Sequence, residues 1–186
     1  KLNIAVFISG RGSNLNNLIK FSKKKNSFIN LIFVVSSNKA AKGLVYAKKN
    51  NIKIIIFNDK KKLTSEINVL KILNSNKIKL ICLAGFMKIL SIKFIRNFKG
   101  KIINIHPSLL PRYKGLNTHE RVIKNNEKFT GCTVHFVNKN LDSGKIIIQK
   151  KIKIKKGDTA SILSKKVLTL EHQLYPKAIK KLFASL

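Results

Sequence analysis

Acidic residues are scarce in this 186-residue chain: seven Asp and Glu stand against 39 Lys and Arg, for a formal charge of +32. An imbalance of that size points towards nucleic acid or an anionic surface. Arginine is scarce as well. Only Arg11, Arg96, Arg112 and Arg121 are present, and the guanidinium is the better bidentate reader of phosphates and bases. The other 35 basic residues are lysines, spread along the chain beside many Ile and Asn. Codon drift towards A and T produces that pattern, so the charge is read as compositional and no specific nucleic-acid partner is expected. Only two cysteines occur, Cys82 and Cys132, in apolar segments and without CxxC or Cys/His ligand spacing. They read as buried free thiols, and no metal is expected. No apolar stretch approaches the roughly 18 residues of a membrane span. The first strand-like run begins at residue 3, which leaves no room for a signal peptide, so a soluble cytoplasmic location is expected.

Apolar residues are well supplied, at 44% hydrophobic composition over the whole length, as a single folded domain requires. Short β-branched runs alternate with lysine-rich stretches up to about residue 105. Strands are predicted at Ile4 to Ser9, Leu31 to Ser36, Ile52 to Phe57, Leu80 to Ala84 and Lys101 to Ile105, with helices over 14–24, 41–50, 62–75 and 91–97 between them. Continuous apolar strands joined by crossover helices imply an α/β, mostly parallel sheet with helices on both faces, and ligands beyond the strand C-termini. After Pro107 the pattern changes. A loop with Pro107, Pro111 and Gly115 leads to a short helix over 116–125. Two β-rich runs follow, Cys132 to Val137 and Lys145 to Ile154, separated by N-K-N-L-D-S-G, a turn composition that predicts a C-terminal antiparallel hairpin. Asp158 or Thr159 then caps a final helix reaching Phe183.

Two loops carry chemistry. The first strand ends in S-G-R-G-S-N-L, Ser9 to Leu15, where glycines permit close approach and a helix N-terminus favours an anion such as phosphate. A dinucleotide fingerprint would need a third glycine where Leu15 stands and an acid after strand two, where the chain reads S-S-N-K. A P-loop would need Gly-Lys-Ser/Thr, which is missing too. Tight strand-to-helix packing explains a lone GxG equally well. The second loop is N-I-H-P-S-L-L-P, Asn104 to Pro111. Asn104 and His106 are two apart, so both side chains leave the strand on one face. A donor amide and a titratable imidazole in one site suit acyl transfer, the amide stabilising an oxyanion and the imidazole moving protons. His135, within a hairpin strand, and His172, on a predicted helix, read as structural. Asp142, one of the seven acids, sits in the hairpin turn beside Gly144; turn chemistry alone accounts for it.

Taken together, S-G-R-G-S-N-L (9–15), L-A-G-F-M-K-I-L (83–90), N-I-H-P-S-L-L-P-R-Y-K-G (104–115), G-C-T-V-H-F-V (131–137), L-D-S-G (141–144) and E-H-Q-L-Y-P (171–176) resemble the phosphoribosylglycinamide formyltransferase family nearly end to end. The resemblance implies a Rossmann-like formyltransferase fold. The 1–186 domain would be divided into a phosphate-binding βαβ part (1–100) and a part (101–186) with the catalytic loop, hairpin and final helix. It implies transfer of a formyl group from 10-formyltetrahydrofolate, as co-substrate, to the amino group of phosphoribosylglycinamide in purine synthesis. Asn104, His106 and Asp142 would be catalytic. Gly12, Ser13, Asn14, Leu15 and Glu171 would hold the ribonucleotide. Lys62, Met87, Lys88, Ile89, Leu90, Asn104, Asn138 and Asp142 would meet folate, although several lysines near 60–62 could take the Lys62 role. Asp142 beside the imidazole would favour its protonated form and raise its pKa. The chain is expected to lack the further C-terminal tail of many members, and to be a monomer or homodimer.

Rival readings are a methionyl-tRNA formyltransferase, which carries an extra C-terminal domain and resembles the first loop poorly, and a formyltetrahydrofolate deformylase, which usually has His where Pro107 stands. The non-enzymatic rival is a basic nucleic-acid-binding α/β domain, supported by charge alone.

Overall fold

The chain opens with a strand because Ile4–Ile8 is an unbroken apolar run that can be buried on both faces, and β1 (Leu2–Ile8) has five fully covered residues from Ile4 to Ile8. The computed structural model describes residues 1–57 and 61–184. In chain order β1 is followed by α1 (Ser13–Ser22), β2 (Ile29–Ser36), α2 (Leu44–Lys49), β3 (Lys53–Ile56), α3 (Lys62–Ser75), β4 (Leu80–Leu83), α4 (Ile92–Asn97), β5 (Lys101–His106), α5 (Thr118–Lys124), β6 (Phe129–Phe136), β7 (Ile146–Lys153) and α6 (Ala160–Phe183). They divide into two compact units, Lys1–Ile103 and Asn104–Leu186, the division running through β5.

In the first unit the hydrogen-bonded order is β3-β2-β1-β4-β5. β1 is parallel to both β2 and β4, and β2 to β3. Each parallel pair requires a crossover, which α1, α2 and α3 supply. α1 turns Leu15, Leu18 and Ile19 inward, an i, i+3, i+4 stripe that gives it a packing face. Phe7 of β1 is met edge-on by Phe86 and Phe94, at ring-centroid distances of 5.2 and 6.2 Å. The loops after β1 and β4 both leave the C-terminal ends of parallel strands, where this class of sheet presents its ligands.

In the second unit the order is β5-β6-β7, and β6 and β7 form an antiparallel pair. α6 lies against it through Leu163, Val167, Leu174 and Tyr175, all 2% exposed or less. Thr159 caps α6, its hydroxyl accepting the Ile162 N–H at 3.3 Å, while Asp158 holds Lys166 at 2.6 Å and the Lys155 N–H at 2.9 Å. β7 ends the strand order, and exposed Lys150, Lys151 and Lys153 discourage further strand pairing along it. No helix among the described residues is long and apolar enough to cross a membrane.

The expected α/β architecture with a C-terminal hairpin is present, and α3 has the predicted bounds. Most other bounds move by one or two residues, and two elements start three residues away from their predicted positions. α2 starts at Leu44, because Gly43 is drawn against the first loop, its N–H donating to the Gly10 carbonyl at 2.9 Å. β6 starts at Phe129 rather than Cys132, because Gly131, on which a Cβ would lie 2.0 Å from the Lys150 carbonyl oxygen, lets the strand continue beside β7.

Candidate active site

The first loop is built by glycine contact. Gly12 has a left-handed φ of 72°, and a Cβ on it would lie 2.6 Å from the Cα of Gly43. A side chain at either position would separate the starts of α1 and α2. The first turn of α1 contains no acid and no side chain caps it, so the N–H groups that every helix leaves without intrahelical partners are presented at a positive dipole end. Asn14 and Leu15 are buried while Ser13 is half-buried.

Ser9 ties this loop to the one after β4. Its N–H donates to the Gly85 carbonyl at 3.0 Å, and its hydroxyl accepts the Met87 N–H at 2.8 Å and lies 2.6 Å from the Ser37 hydroxyl. On that second loop Met87 and Ile89 are exposed and Leu90 is buried, an apolar edge of the kind that covers a flat ligand. Lys88 and Lys62 are half-buried, and Lys62 begins α3. Lys60 lies outside the described residues.

The second unit brings Asn104, His106 and Asp142 together. One carboxylate serves both partners: Asp142 Oδ1 is 3.5 Å from Asn104 Nδ2, and Oδ2 is 3.3 Å from His106 Nδ1. The Gly115 N–H donates to the same Oδ2 at 2.9 Å. His106 and Asp142 are only 5% and 8% exposed. Asp142 reaches the imidazole from a left-handed backbone, φ 46°, a conformation that aspartate tolerates better than most residues. Gly144 closes the turn behind it, where a Cβ would lie 1.6 Å from the Phe136 carbonyl oxygen. Asn138 is exposed and accepts the Asn140 N–H at 2.9 Å. Glu171 on α6 is buried. Burial, with the Glu171 charge adding to it, pushes the Cys132 thiol up to about 12, so that cysteine is inert as a nucleophile.

His135, read from its strand position as structural, stands in this cluster. Its Nε2 is 3.3 Å from Asn104 Nδ2 and 3.6 Å from Asp142 Oδ1, and its Nδ1 meets the Phe136 carbonyl at 2.8 Å. The β6–β7 register shifts between Val134 and His135; irregularities of this kind re-aim a side chain, and alternation alone does not reveal them. His172 lies on α6.

Burial is the largest influence on His106 and pulls its pKa below the usual histidine value, against the Tyr113 carbonyl and Asp142, which raise it, while His135 and Arg121 lower it further. The expected upward effect of Asp142 therefore exists, but the net direction is the reverse of the one predicted, because desolvation outweighs it. Burial also works to raise Asp142; hydrogen bonds from His135 and Gly115 together with the nearby imidazoles overcome this and lower its pKa. The carboxylate thus stays ionised beside an imidazole that can be neutral or protonated, the arrangement that general acid–base chemistry needs. Among the described residues no group of three or more His, Cys, Asp or Glu is arranged to hold a metal ion.

Fold and cluster define an α/β protein whose strand-end amide, imidazole and carboxylate are suited to acyl transfer. The chain belongs to the formyl transferase family, whose model matches residues 2–179. It is 41% identical over 180 residues to a phosphoribosylglycinamide formyltransferase of Haemophilus influenzae, covering 95% of this chain and 85% of that one. It is also 41% identical over 183 residues to the trifunctional purine biosynthetic protein adenosine-3 of Bos taurus, covering 97% of this chain but spanning only 18% of that relative's length. Among solved structures it resembles the phosphoribosylglycinamide formyltransferases of Anaplasma phagocytophilum (TM-score 0.90, 42% identity, 97% of this chain and 85% of that one) and Brucella melitensis (TM-score 0.92, 39% identity, 100% and 97%).

Proposed function

We propose that this chain transfers a formyl group from 10-formyltetrahydrofolate to the amino group of phosphoribosylglycinamide, a step of purine synthesis. The observation that carries the reading is the Asn104–His106–Asp142 cluster, in which one buried carboxylate meets both an amide donor and an imidazole. The substrate amine attacks the formyl carbon to form a C–N bond, and the former carbonyl oxygen becomes an oxyanion. Asn104 Nδ2 and protonated His106 stabilise that oxygen. Collapse breaks the bond to the folate nitrogen, which takes a proton as it leaves, while the attacking amine gives one up.

Gly12, Ser13, Asn14 and Leu15 hold the substrate phosphate, a role supported by the uncapped α1 N-terminus and the Gly12–Gly43 contact. Glu171 contacts the ribonucleotide. Lys62, Met87, Lys88, Ile89, Leu90, Asn104, Asn138 and Asp142 contact folate, a role supported by the exposed apolar Met87 and Ile89. The domain works in the cytoplasm as a monomer or homodimer. Incubating the purified chain and formyl folate with phosphoribosylglycinamide, methionyl-tRNA or water tests the acceptor. Formylation of the ribonucleotide amine alone is expected, and turnover only with tRNA or water would overturn the reading.

A further inference from the structure

Both ring nitrogens of His106 face oxygen. Asp142 lies 3.3 Å from Nδ1 as a charge neighbour, and on the opposite side of the ring Nε2 makes a 2.8 Å hydrogen bond to the main-chain carbonyl of Tyr113. A carbonyl accepts only, so Nε2 must carry the proton in that bond. Asp142, whose other oxygen meets Asn104, stands on the Nδ1 side.

Tyr113 does not present this carbonyl by default. Its φ of 57° is left-handed, a conformation that a bulky non-glycine residue adopts only when its surroundings hold it there. The holding groups are visible. Its phenol donates to Glu127 Oε1 at 2.6 Å and accepts from Asn125 Nδ2 at 2.9 Å. Arg112 pairs with the same Glu127 carboxylate, with Nη1 3.0 Å from Oε2 and Nη2 on Oε1. The Arg112 and Arg121 guanidiniums each stand 5.3 Å from the tyrosine ring centroid. Arg121 Nη1 also takes the next carbonyl, Lys114 O, at 2.6 Å. The Ser108 hydroxyl reaches Arg112 O at 2.7 Å and Tyr113 O at 3.2 Å.

We infer that Tyr113 is a positioning residue: its carbonyl anchors Nε2–H of His106 and leaves Nδ1 as the working nitrogen, and the Glu127, Arg112, Arg121 and Asn125 side chains hold that carbonyl in place. The hydrogen bond at one ring nitrogen sets which proton the other can exchange. The inference rests on the catalytic role proposed for His106, but it makes a claim about the free chain that formyl transfer need not decide. The other charged or titratable groups facing His106 are Asp142, His135, Arg121 and His119, and none of them is altered in the test.

The experiment is a nitrogen-15 NMR titration of histidine-labelled protein, carried out on the natural chain, Tyr113→Phe and Glu127→Ala. Tyr113→Phe keeps the ring and removes only the phenol contacts, so it serves if Glu127→Ala fails to fold. In the natural chain neutral His106 is expected as the Nε2–H tautomer. In the variants the signal moves towards a mixture of tautomers and the Nε2 proton exchanges about tenfold faster, the factor set by losing one buried hydrogen bond. The titration midpoint moves to lower pH because an acceptor that favours the protonated ring is loosened. In formyl transfer kcat falls while KM for both substrates holds. An Nδ1–H tautomer in the natural chain, or variant titrations that superimpose on it, would overturn the inference. A natural chain with the expected tautomer but no formyl transfer would instead overturn the proposed function and leave the anchoring role standing.

Discussion

Replacing Asp142 with asparagine removes one charge and nearly nothing else. A unit charge 3.3 Å from a protonated imidazole interacts by about 5 kcal/mol at the effective dielectric of about 20 that fits protein sites. At 1.4 kcal/mol per factor of ten this sets a ceiling of about 10³- to 10⁴-fold on any loss of turnover. The asparagine oxygen can still accept the Gly115 N–H, leaving its NH₂ to face Asn104 Nδ2, donor against donor. Amide dipole and local relaxation recover part of the charge term, so kcat is expected to fall about 10²-fold near neutral pH. The direction of the pH effect is fixed: Asp142 raises the His106 pKa against burial, so its loss lets burial act with less opposition. The limb of the pH–rate profile that reports His106 protonation should move to lower pH. Steady-state formyl transfer, followed by the absorbance change on folate release over a pH series, measures both effects. A folded variant whose profile superimposes on that of the natural chain would refute a role for the Asp142 charge.

Asn104→Ala removes one proposed oxyanion donor and is expected to cost about 10²-fold in kcat with little change in KM; near-normal turnover would place the donor elsewhere. Gly144→Ala sets a methyl 1.6 Å from the Phe136 carbonyl oxygen, so the turn must move and carry Asp142 with it. A misplacement of about 1 Å costs about 10²-fold, and a crystal structure of the variant should show the carboxylate displaced from His106. His106 binds its proton less readily folded than unfolded, so its share of stability is intact above the usual histidine value of 6.5 and is lost as pH falls below it. Denaturant midpoints should therefore decline from neutral to mildly acid pH, and less steeply in His106→Gln; parallel slopes would rule this group out.

The elements were readable where burial leaves a mark in composition. Ile4–Ile8 of β1 and the whole of β4 are continuous apolar runs because parallel strands are covered on both faces. Asn104 and His106 were legible as a pair because a strand repeats every two residues. Asp142 was not legible from the residues alone, since it meets His106 across 35 intervening positions and through a left-handed turn, and neither feature has a local pattern. His135 stayed hidden behind a register shift that breaks strand alternation. Two partners of the cluster, the Gly115 N–H and the Tyr113 carbonyl, are main-chain atoms, which no choice of side chain reports.

The few acids hold defined places in the fold. Six of the seven lie among the described residues. Glu66 is 3% exposed and accepts the Ser91 N–H at 2.8 Å and its hydroxyl, fixing the start of α4. Glu127 holds Tyr113 and Arg112, Asp142 joins Asn104 to His106, Asp158 anchors the start of α6, Glu171 is buried, and Glu120 lies in the first turn of α5. Losing an exposed ion pair costs about 0–1 kcal/mol, whereas stripping a buried donor of its acceptor costs about 1–3 kcal/mol, and more for a charged one. Loss of a surface acid is therefore cheap, and loss of a partnered one is not. In a chain with so few acids each described carboxylate marks a position: Asp142 the cluster with Asn104 and His106, Glu66, Glu120 and Asp158 the starts of three helices, Glu127 the clamp on Tyr113, and Glu171 the buried face of α6.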